Sequence, residues 1–508
     1  VRKYTTGEIY LEFDKLADLI EGWVSRKSPK VFRCSNVEVS KRLTQRIVEI
    51  ISNDFTSYMQ SSSSNHDDSL KKVTLNGINV CLHTGAIKIS LKQYVGNILL
   101  FGASWAQLFF SLLFNLLAKG PKNPVAATLF MEPNCGLGES DAKFVEFCRE
   151  KIIQPLSSAK ILIVKSKTQP TIKSNDNFIY TSQPLVYFAS SLLNRKHKFL
   201  LFWCHFKALI YFFLIMFKSP ILVLLGRDLS YIPVCDYLER KNLIQDIIIT
   251  TSSFTTQPLW MKGLSNRNSH LHMVWYSQNF IPKMYRGDES VSNLPSARHM
   301  RVDTHWVWTD GFGQYLKNLG QTSNIHVVGP ILWYMPKKEE SYSGQSSIKI
   351  AVFDVTPVAK TASVFGAAKN YYSSDTMTKF LNDIVDICAD IKTNYGKNIE
   401  ILLKHKRSVT SREDYDLSYI KLVDELNKKR SEFRTIPHDV NLYGLLEVCD
   451  VSISIPYTST AYVSAKYNKP SLYYDPFAEL VPQYEKNGYV NFVAGRTELK
   501  EVLYQLLA

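Results

Sequence analysis

The run Pro456-Tyr457-Thr458-Ser459-Thr460 sets four consecutive hydroxyl side chains between two patterned segments. Before it, Val451–Ile455 reads as a buried strand; after it, Ala461–Tyr467 reads as a helix and Ser471–Tyr474 as a further strand. A turn from a strand into a helix N-terminus leaves backbone N–H groups unpaired at the positive end of the helix, which favours an anion. Tyr457, Thr458, Ser459 and Thr460 would add hydroxyl donors, so the expected guest is the phosphate of a nucleotide or nucleotide-sugar. The plain alternative is that Ser459 or Thr460 only caps the helix.

A second anion-binding candidate lies upstream. The strand candidate Ile399–Lys404 runs into Lys404-His405-Lys406-Arg407, which joins three cations to a titratable imidazole at a strand's carboxyl end. If the sheet order brings this strand near Val451–Ile455, the two features would clamp one phosphate and stabilise charge on a leaving group. The alternative is a solvated basic loop. Two acidic positions are candidates for nucleophile or general base. Asp228 follows Gly226-Arg227 after the apolar run Ile221–Leu225, read here as a strand, although an Asp there also suits a turn cap. Asp141 ends Gly136-Leu137-Gly138-Glu139-Ser140-Asp141, a loop too irregular for a dinucleotide or Walker fingerprint. His272, Trp275, Tyr276, Gln278 and Asn279, and then His305, Trp306, Trp308 and Asp310, suit either stacking on sugar rings or a core strand at a domain edge. No His, Asp and Glu spacing suggests a metal site.

The elements that must position these residues alternate. Strand candidates Ala126–Met131, Ala159–Val164, Asp246–Thr250, His272–Tyr276, His305–Thr309 and Ile325–Val328 are interleaved with helices such as Asp141–Ile153, Val234–Lys241 and Gly311–Leu319. The polar run Lys337–Ser347 reads as a linker. Beyond it come strand Lys349–Phe353, helix Asp375–Tyr395, helix Leu417–Arg430, strand Phe433–Ile436, helix Leu442–Val448 and a final helix Thr497–Leu507. Alternation on both sides of a linker predicts an α/β chain with two Rossmann-like doubly wound domains facing across a cleft, residues 1–336 and 345–508. Residues 1–60 add helices, Ser61–Ser69 a low-complexity loop and Val73–Ile89 a small β element.

Composition narrows the partners. The formal net charge of +14 over 508 residues points to an acidic partner, but the basic residues are scattered and no nucleic-acid-binding signature is present. None of the eight cysteines falls in a CxxC pair, which suggests core packing and a reducing, cytosolic compartment. The chain opens at Val1 with no apolar signal region nearby, so no secretory leader is expected.

Two segments are strongly apolar. In Ile98–Ala118 the polar residues Ser104, Gln107, Ser111 and Asn115 share one narrow helical stripe. Phe199–Phe217 follows Arg195-Lys196-His197-Lys198 but carries His205 and Lys207 near its middle. An ionised Lys at a bilayer centre costs on the order of 3 kcal/mol. Helices lying in the interface, with the basic flank on anionic head groups, are therefore expected, against the alternative of two core helices.

Pro456-Tyr457-Thr458-Ser459 resembles the motif of bacterial surface-polysaccharide biosynthesis proteins marked by PFTS, with Tyr in place of Phe. Gly138–Glu150, Val274–Pro282 and His305–Phe312 look like further blocks of that family, and the resemblance spans roughly Ala126 to Asp475. It implies a layout similar to two-Rossmann (GT-B) glycosyltransferases, closest to those using CMP-activated ulosonic acids such as Kdo and sialic-type sugars. By that resemblance Tyr457–Thr460 and Lys404–Arg407 hold the CMP donor without a metal, although Lys406 stands where sialyltransferases have a Pro after the histidine. The N-terminal domain would bind a lipid-linked oligosaccharide acceptor and supply the carboxylate, Asp228 first and Asp141 second. The expected setting is peripheral, on the cytoplasmic face of the bacterial inner membrane. The alternatives are a UDP- or GDP-hexose transferase, a non-catalytic glycan assembly protein, and a sugar-nucleotide epimerase.

Overall fold

The computed structural model describes residues 34–43, 46–47, 73–75, 78–81, 86–131, 160–164, 178–250, 257–262, 267–277, 284–287, 300–329, 347–355, 371–406, 416–438, 442–482 and 490–507, with isolated positions at 22, 145, 148, 150, 357 and 440. Asp141, Gln278, Asn279 and Arg407 lie outside the described residues, as do the serine-rich loop, most of the predicted helix 141–153 and nearly all of the predicted linker 337–347.

A small antiparallel sheet of β1 (Val73–Leu75), β2 (Ile78–Cys81) and β3 (Ala86–Ile89) precedes the main body. A seven-stranded sheet follows: β4 (Ala127–Met131), β5 (Lys160–Val164), β6 (Phe178–Thr181), β7 (Ile244–Ile249), β8 (His270–Val274), β9 (Thr304–Val307) and β10 (Asn324–Val327). Its spatial order is β10-β9-β8-β7-β4-β5-β6, with every neighbouring pair parallel. A six-stranded sheet holds β11 (Ile348–Phe353), β12 (Ile399–Lys404), β13 (Phe433–Ile436), β14 (Val451–Ser454), β15 (Ser471–Asp475) and β16 (Asn491–Ala494). Its order is β13-β12-β11-β14-β15-β16, again all parallel.

Both sheets start in the middle, wind to one edge, return and wind to the other. That is the doubly wound plan, and the winding reverses between β4 and β7 and between β11 and β14. Ligands in such sheets bind outside the carboxyl ends at the reversal point. The central strands are buried on both faces, which is why they read as continuous apolar runs: every residue of β4, β14 and β15 is buried.

The helices used below are α1 (Leu91–Asn115), α2 (Arg195–Lys218), α3 (Gly226–Arg240), α4 (Asp310–Asn318), α5 (Ser374–Tyr395), α6 (Leu417–Lys429), α7 (Leu442–Val448), α8 (Thr460–Lys466) and α9 (Gly495–Leu507). Local signals explain their ends. Ser90 caps α1 by accepting the Gln93 N–H, and Asn194 caps α2 by accepting the His197 N–H. Gly396, left-handed at φ 63°, closes α5.

One predicted strand is corrected. Pro220–Leu225 forms a 3₁₀-helix that runs directly into α3. Pro220 suits the first turn of a helix, and a short, fully buried apolar run has no period to separate strand from helix. Gly226 therefore opens no path to a ligand. A Cβ there would lie 2.8 Å from the Asn97 carbonyl oxygen, so this glycine lets α3 approach α1.

Helices α1, α2 and α3 pack together. The Phe101 and Phe212 rings stack at 3.5 Å, and Trp105 Nε1–H donates to the His205 carbonyl while His205 Nε2 bonds the Trp105 carbonyl at 2.9 Å. His205 thus links two helices through Nε2 and its carbonyl, with Nδ1 buried and unpaired among the described residues, whereas Lys207 stands exposed on the outer face. That outer face is apolar and uncovered: Phe114, Leu117 and Phe217 are 78%, 81% and 82% exposed.

Candidate functional site

The hydroxyl-rich turn sits where the second sheet reverses its winding. Strand register sets Lys404, Phe353 and Ser454 level with one another across β12, β11 and β14. The residues that follow, His405, Asp354 and Ile455, therefore line one carboxyl edge. With neighbouring strands about 4.8 Å apart, His405 and the turn are about 10 Å apart, with Asp354 between them.

Asp354 was not legible as a site residue. Its Oδ2 accepts His405 Nδ1–H at 2.5 Å and Tyr419 OH at 2.9 Å, and its Oδ1 accepts the Lys406 N–H at 2.9 Å. The carboxylate is fully buried and the imidazole nearly so. Donation from Nδ1 fixes the tautomer and leaves Nε2 as the nitrogen available for other chemistry. The basic cluster is otherwise less concentrated than the sequence suggested. Lys404 Nζ donates to the His438 carbonyl at 2.6 Å, which ties down the loop after β13, and Lys406 is exposed.

The four hydroxyls of the turn divide. Tyr457 is fully buried, adopts a left-handed φ of 66° and donates its hydroxyl to the Val481 carbonyl at 3.2 Å. Thr458 Oγ1 donates to the Ile455 carbonyl at 2.9 Å. These two side chains shape the turn from inside, which corrects their reading as donors to a ligand. Ser459 and Thr460 are partly exposed at the mouth, and Thr460 Oγ1 lies 3.0 Å from Ser454 Oγ. Two tyrosines hold the turn's backbone, Tyr372 donating to the Pro456 carbonyl and Tyr473 to the Thr458 carbonyl, while Tyr457 ties the turn to Val481. Burial pushes the Tyr372 phenol well up, so it stays a neutral donor.

Ser459 is the N-cap residue of α8, yet its side chain makes no capping bond. It donates instead to Ser277 Oγ at 3.2 Å, just past the carboxyl end of β8 in the other sheet. The carboxyl edges of the two sheets therefore meet at this turn. Trp308 packs edge-on against Tyr462 of α8. A backbone clasp also joins the halves, with Arg286 N–H on the Glu479 carbonyl at 2.8 Å and Val481 N–H on the Met284 carbonyl at 2.9 Å.

The aromatic and histidine residues of β8 and β9 are a packed wall. Trp275, His305 and Trp308 are buried. Trp275 Nε1–H donates to His305 Nδ1, and Trp308 Nε1–H to the Trp275 carbonyl. Burial pulls the His305 pKa down to about 4, so it is neutral. Trp306 stacks on His326 with ring centroids 4.8 Å apart. The reading of these residues as core is the one the geometry supports.

Asp228 does not stand at a strand end. It lies in the first turn of α3, is 6% exposed, and its Oδ2 accepts both Arg42 Nε–H at 2.8 Å and the Leu259 N–H at 3.2 Å. Arg42 comes from the helical segment 36–43. Among the described residues, no three or more His, Cys, Asp or Glu side chains converge on a point where a metal would sit.

Two doubly wound parallel domains meeting at their carboxyl edges, with a hydroxyl-rich turn at the junction, define a GT-B-like protein. The polysaccharide biosynthesis PFTS motif proteins match the chain over residues 208–503, and it belongs to that family, its motif being Pro456-Tyr457-Thr458-Ser459. Among solved structures, UDP-GlcNAc 2-epimerase from Methanocaldococcus jannaschii is similar over 74% of this chain and 91% of its own, at 10% identity and TM-score 0.39. The wall teichoic acid polymerase TagF is similar over 82% and 89%, at 11% identity and TM-score 0.37. Sucrose-phosphate synthase from Thermosynechococcus elongatus is similar over 75% and 89%, at 8% identity and TM-score 0.39. No curated protein matches the sequence.

Proposed function

We propose that this protein is a glycosyltransferase of surface-polysaccharide assembly, moving an ulosonic acid from a CMP donor to a lipid-linked oligosaccharide. The observation that carries the reading is the junction itself. The family motif lies at the reversal point of one sheet, beside the Asp354–His405 pair, and touches the other sheet through Ser459 and Ser277. A donor phosphate held there by Ser459, Thr460 and His405 would present its sugar to an acceptor on the opposite domain.

In this account His405 turns Nε2 to the donor phosphate, and Asp354 fixes the ring's orientation through Nδ1. A single phosphate needs few cations, and Lys406 with Arg407 completes the set without a metal. The carboxylate that activates the acceptor, or that forms a glycosyl adduct, is assigned to Asp141. It follows β4, whose carboxyl end stands at the first sheet's reversal point. Asp228, tied to Arg42, takes a wall role instead.

The uncovered faces of α1 and α2 support a peripheral site on the inner membrane's cytoplasmic surface. Lys207, in the middle of the α2 outer face, disfavours a spanning helix and suits one lying in the interface, where a long side chain reaches water.

The test is transfer of labelled sugar from CMP-, UDP- and GDP-activated donors to acceptor-bearing membranes. Transfer from the CMP donor alone, retained in chelator, is expected. Transfer from a UDP or GDP donor would replace the ulosonic acid by a hexose. No transfer from any donor, with polysaccharide assembly still dependent on the protein, would make it a non-catalytic assembly factor.

A further inference from the structure

A cavity of about 580 Å³ lies in the N-terminal domain, on the carboxyl side of β4 and β5, whose last residues Met131 and Val164 line it. Its charged lining residues are Arg42, Arg227 and Asp228, a net charge of +1 by ordinary ionisation. Asp228 engages Arg42, and Arg227 is exposed. Tyr231 and Gln107 add polar groups to the wall. The cavity is thus large enough for a sugar and a phosphate and carries a surplus cation.

Gln107 belongs to α1, and its place on that helix sets the cavity's surroundings. Leu100, Gln107, Phe110 and Phe114 of α1, with Leu117 just past its end, recur at spacings of three, four and seven, so they follow one stripe. The four apolar members are 51%, 51%, 78% and 81% exposed. Gln107 is the polar interruption of that stripe, at the cavity. Phe114 lies two turns further on, about 10 Å along the axis. A ligand with an anionic head in the cavity would find an apolar track leading from it along the outside of the protein.

We propose that this cavity binds the phosphate of a membrane-embedded lipid carrier, with Arg227 as the principal cation and the lipid tail lying along the stripe from Leu100 to Phe114 of α1. The proposal rests on the acceptor reading above and makes it specific: the acceptor is recognised by its lipid phosphate as well as by its sugars. Arg42 is a positioning residue, held by Asp228 so that the wall of the cavity is kept in place.

The test uses the full chain and flotation with three vesicle types: phosphatidylcholine alone, phosphatidylcholine with a few mole per cent phosphatidylglycerol, and phosphatidylcholine with the same fraction of a long-chain polyprenyl phosphate. The expected preference for polyprenyl phosphate over phosphatidylglycerol is about tenfold, as for one charge-assisted hydrogen-bonded contact that the terminal monoester oxygens make and a phosphodiester cannot. Arg227→Gln, a change at an exposed position, should abolish that preference while binding to phosphatidylcholine alone is kept. Gln107→Leu should reduce the preference and retain the apolar binding. Equal binding to both anionic vesicles, or full preference retained in Arg227→Gln, overturns the proposal. Inorganic phosphate or pyrophosphate bound as tightly as the vesicle-borne lipid would mean a soluble ligand and also overturns it. CMP titration of the same preparations separates the two readings. Lipid-phosphate preference without CMP binding leaves this cavity standing and removes the CMP-donor reading, and the reverse result removes only the cavity.

Discussion

His405 donates its Nδ1–H to Asp354 at 2.5 Å, although 51 residues separate them in the chain. Parallel pairing of β11 and β12 brings them together, because each follows its strand's last residue at the same level of the sheet. If this pair works on the donor phosphate, His405→Ala should lower kcat/KM by about 100-fold or more. Asp354→Asn should cost roughly 10- to 100-fold, the worth of one charge-assisted hydrogen bond, and should weaken nucleotide binding by the folded protein. A purely structural Asp354 would lower thermal stability and leave nucleotide affinity of the folded protein in place.

Tyr457 stands where the family motif has Phe, and its ring is fully buried. Tyr457→Phe removes one hydrogen bond, to the Val481 carbonyl. The change should cost about 1 kcal/mol in unfolding free energy and leave nucleotide affinity unchanged. Ser459→Ala should do the opposite, leaving stability nearly intact and weakening nucleotide binding. Calorimetry on both variants checks the division of labour within the turn.

Asp228 and Asp141 separate in the same way. Asp228→Asn breaks a buried ion pair with Arg42 and should destabilise the fold by about 3 kcal/mol. Asp141→Asn should abolish most turnover without shifting Tm. Denaturant unfolding together with a transfer assay on each variant distinguishes an anchor from a catalytic group.

His305 gives a pH signature. Burial lowers its pKa from the ordinary 6.5 to about 4, so the folded state favours the neutral ring. Its contribution is fully present above pH 6.5 and is lost as pH falls towards 4. At pH 5 the loss is about 2 kcal/mol. His305→Gln should flatten that part of the stability profile. The check is chemical unfolding of both proteins at pH 7 and pH 5.

The exposed aromatics of α1 and α2 should govern membrane attachment. Phe114→Ser and Phe217→Ser should each weaken vesicle flotation by about tenfold, since each removes an apolar side chain worth roughly 1.5–3 kcal/mol on burial. Far-ultraviolet circular dichroism should be unchanged.

The alternating plan was legible because parallel strands buried on both faces leave unmistakable apolar runs. Ile399–Lys404 and Phe433–Ile436 match their observed bounds. Short strands with polar residues, such as Phe178–Thr181 and Asn491–Ala494, gave no such signal and were missed. Ile221–Leu225 reads as a strand in the sequence yet is helical, because burial alone does not choose between strand and helix. The turn and His405 stand out in the sequence by residue type. Asp354 does not, since a lone acidic residue acquires meaning only from the strand pairing that places it beside the histidine. The uses of Tyr457 and Thr458 were likewise hidden, because a hydroxyl in a sequence does not say whether it faces a ligand or a carbonyl.

Calorimetric titration with CMP, UDP and GDP, with and without Mg²⁺, on the wild type, Ser459→Ala and His405→Ala, tests the central claim most directly. The account predicts selective CMP binding that is independent of Mg²⁺ and is lost in both variants. Preference for UDP or GDP, or CMP binding that survives both substitutions, would contradict it.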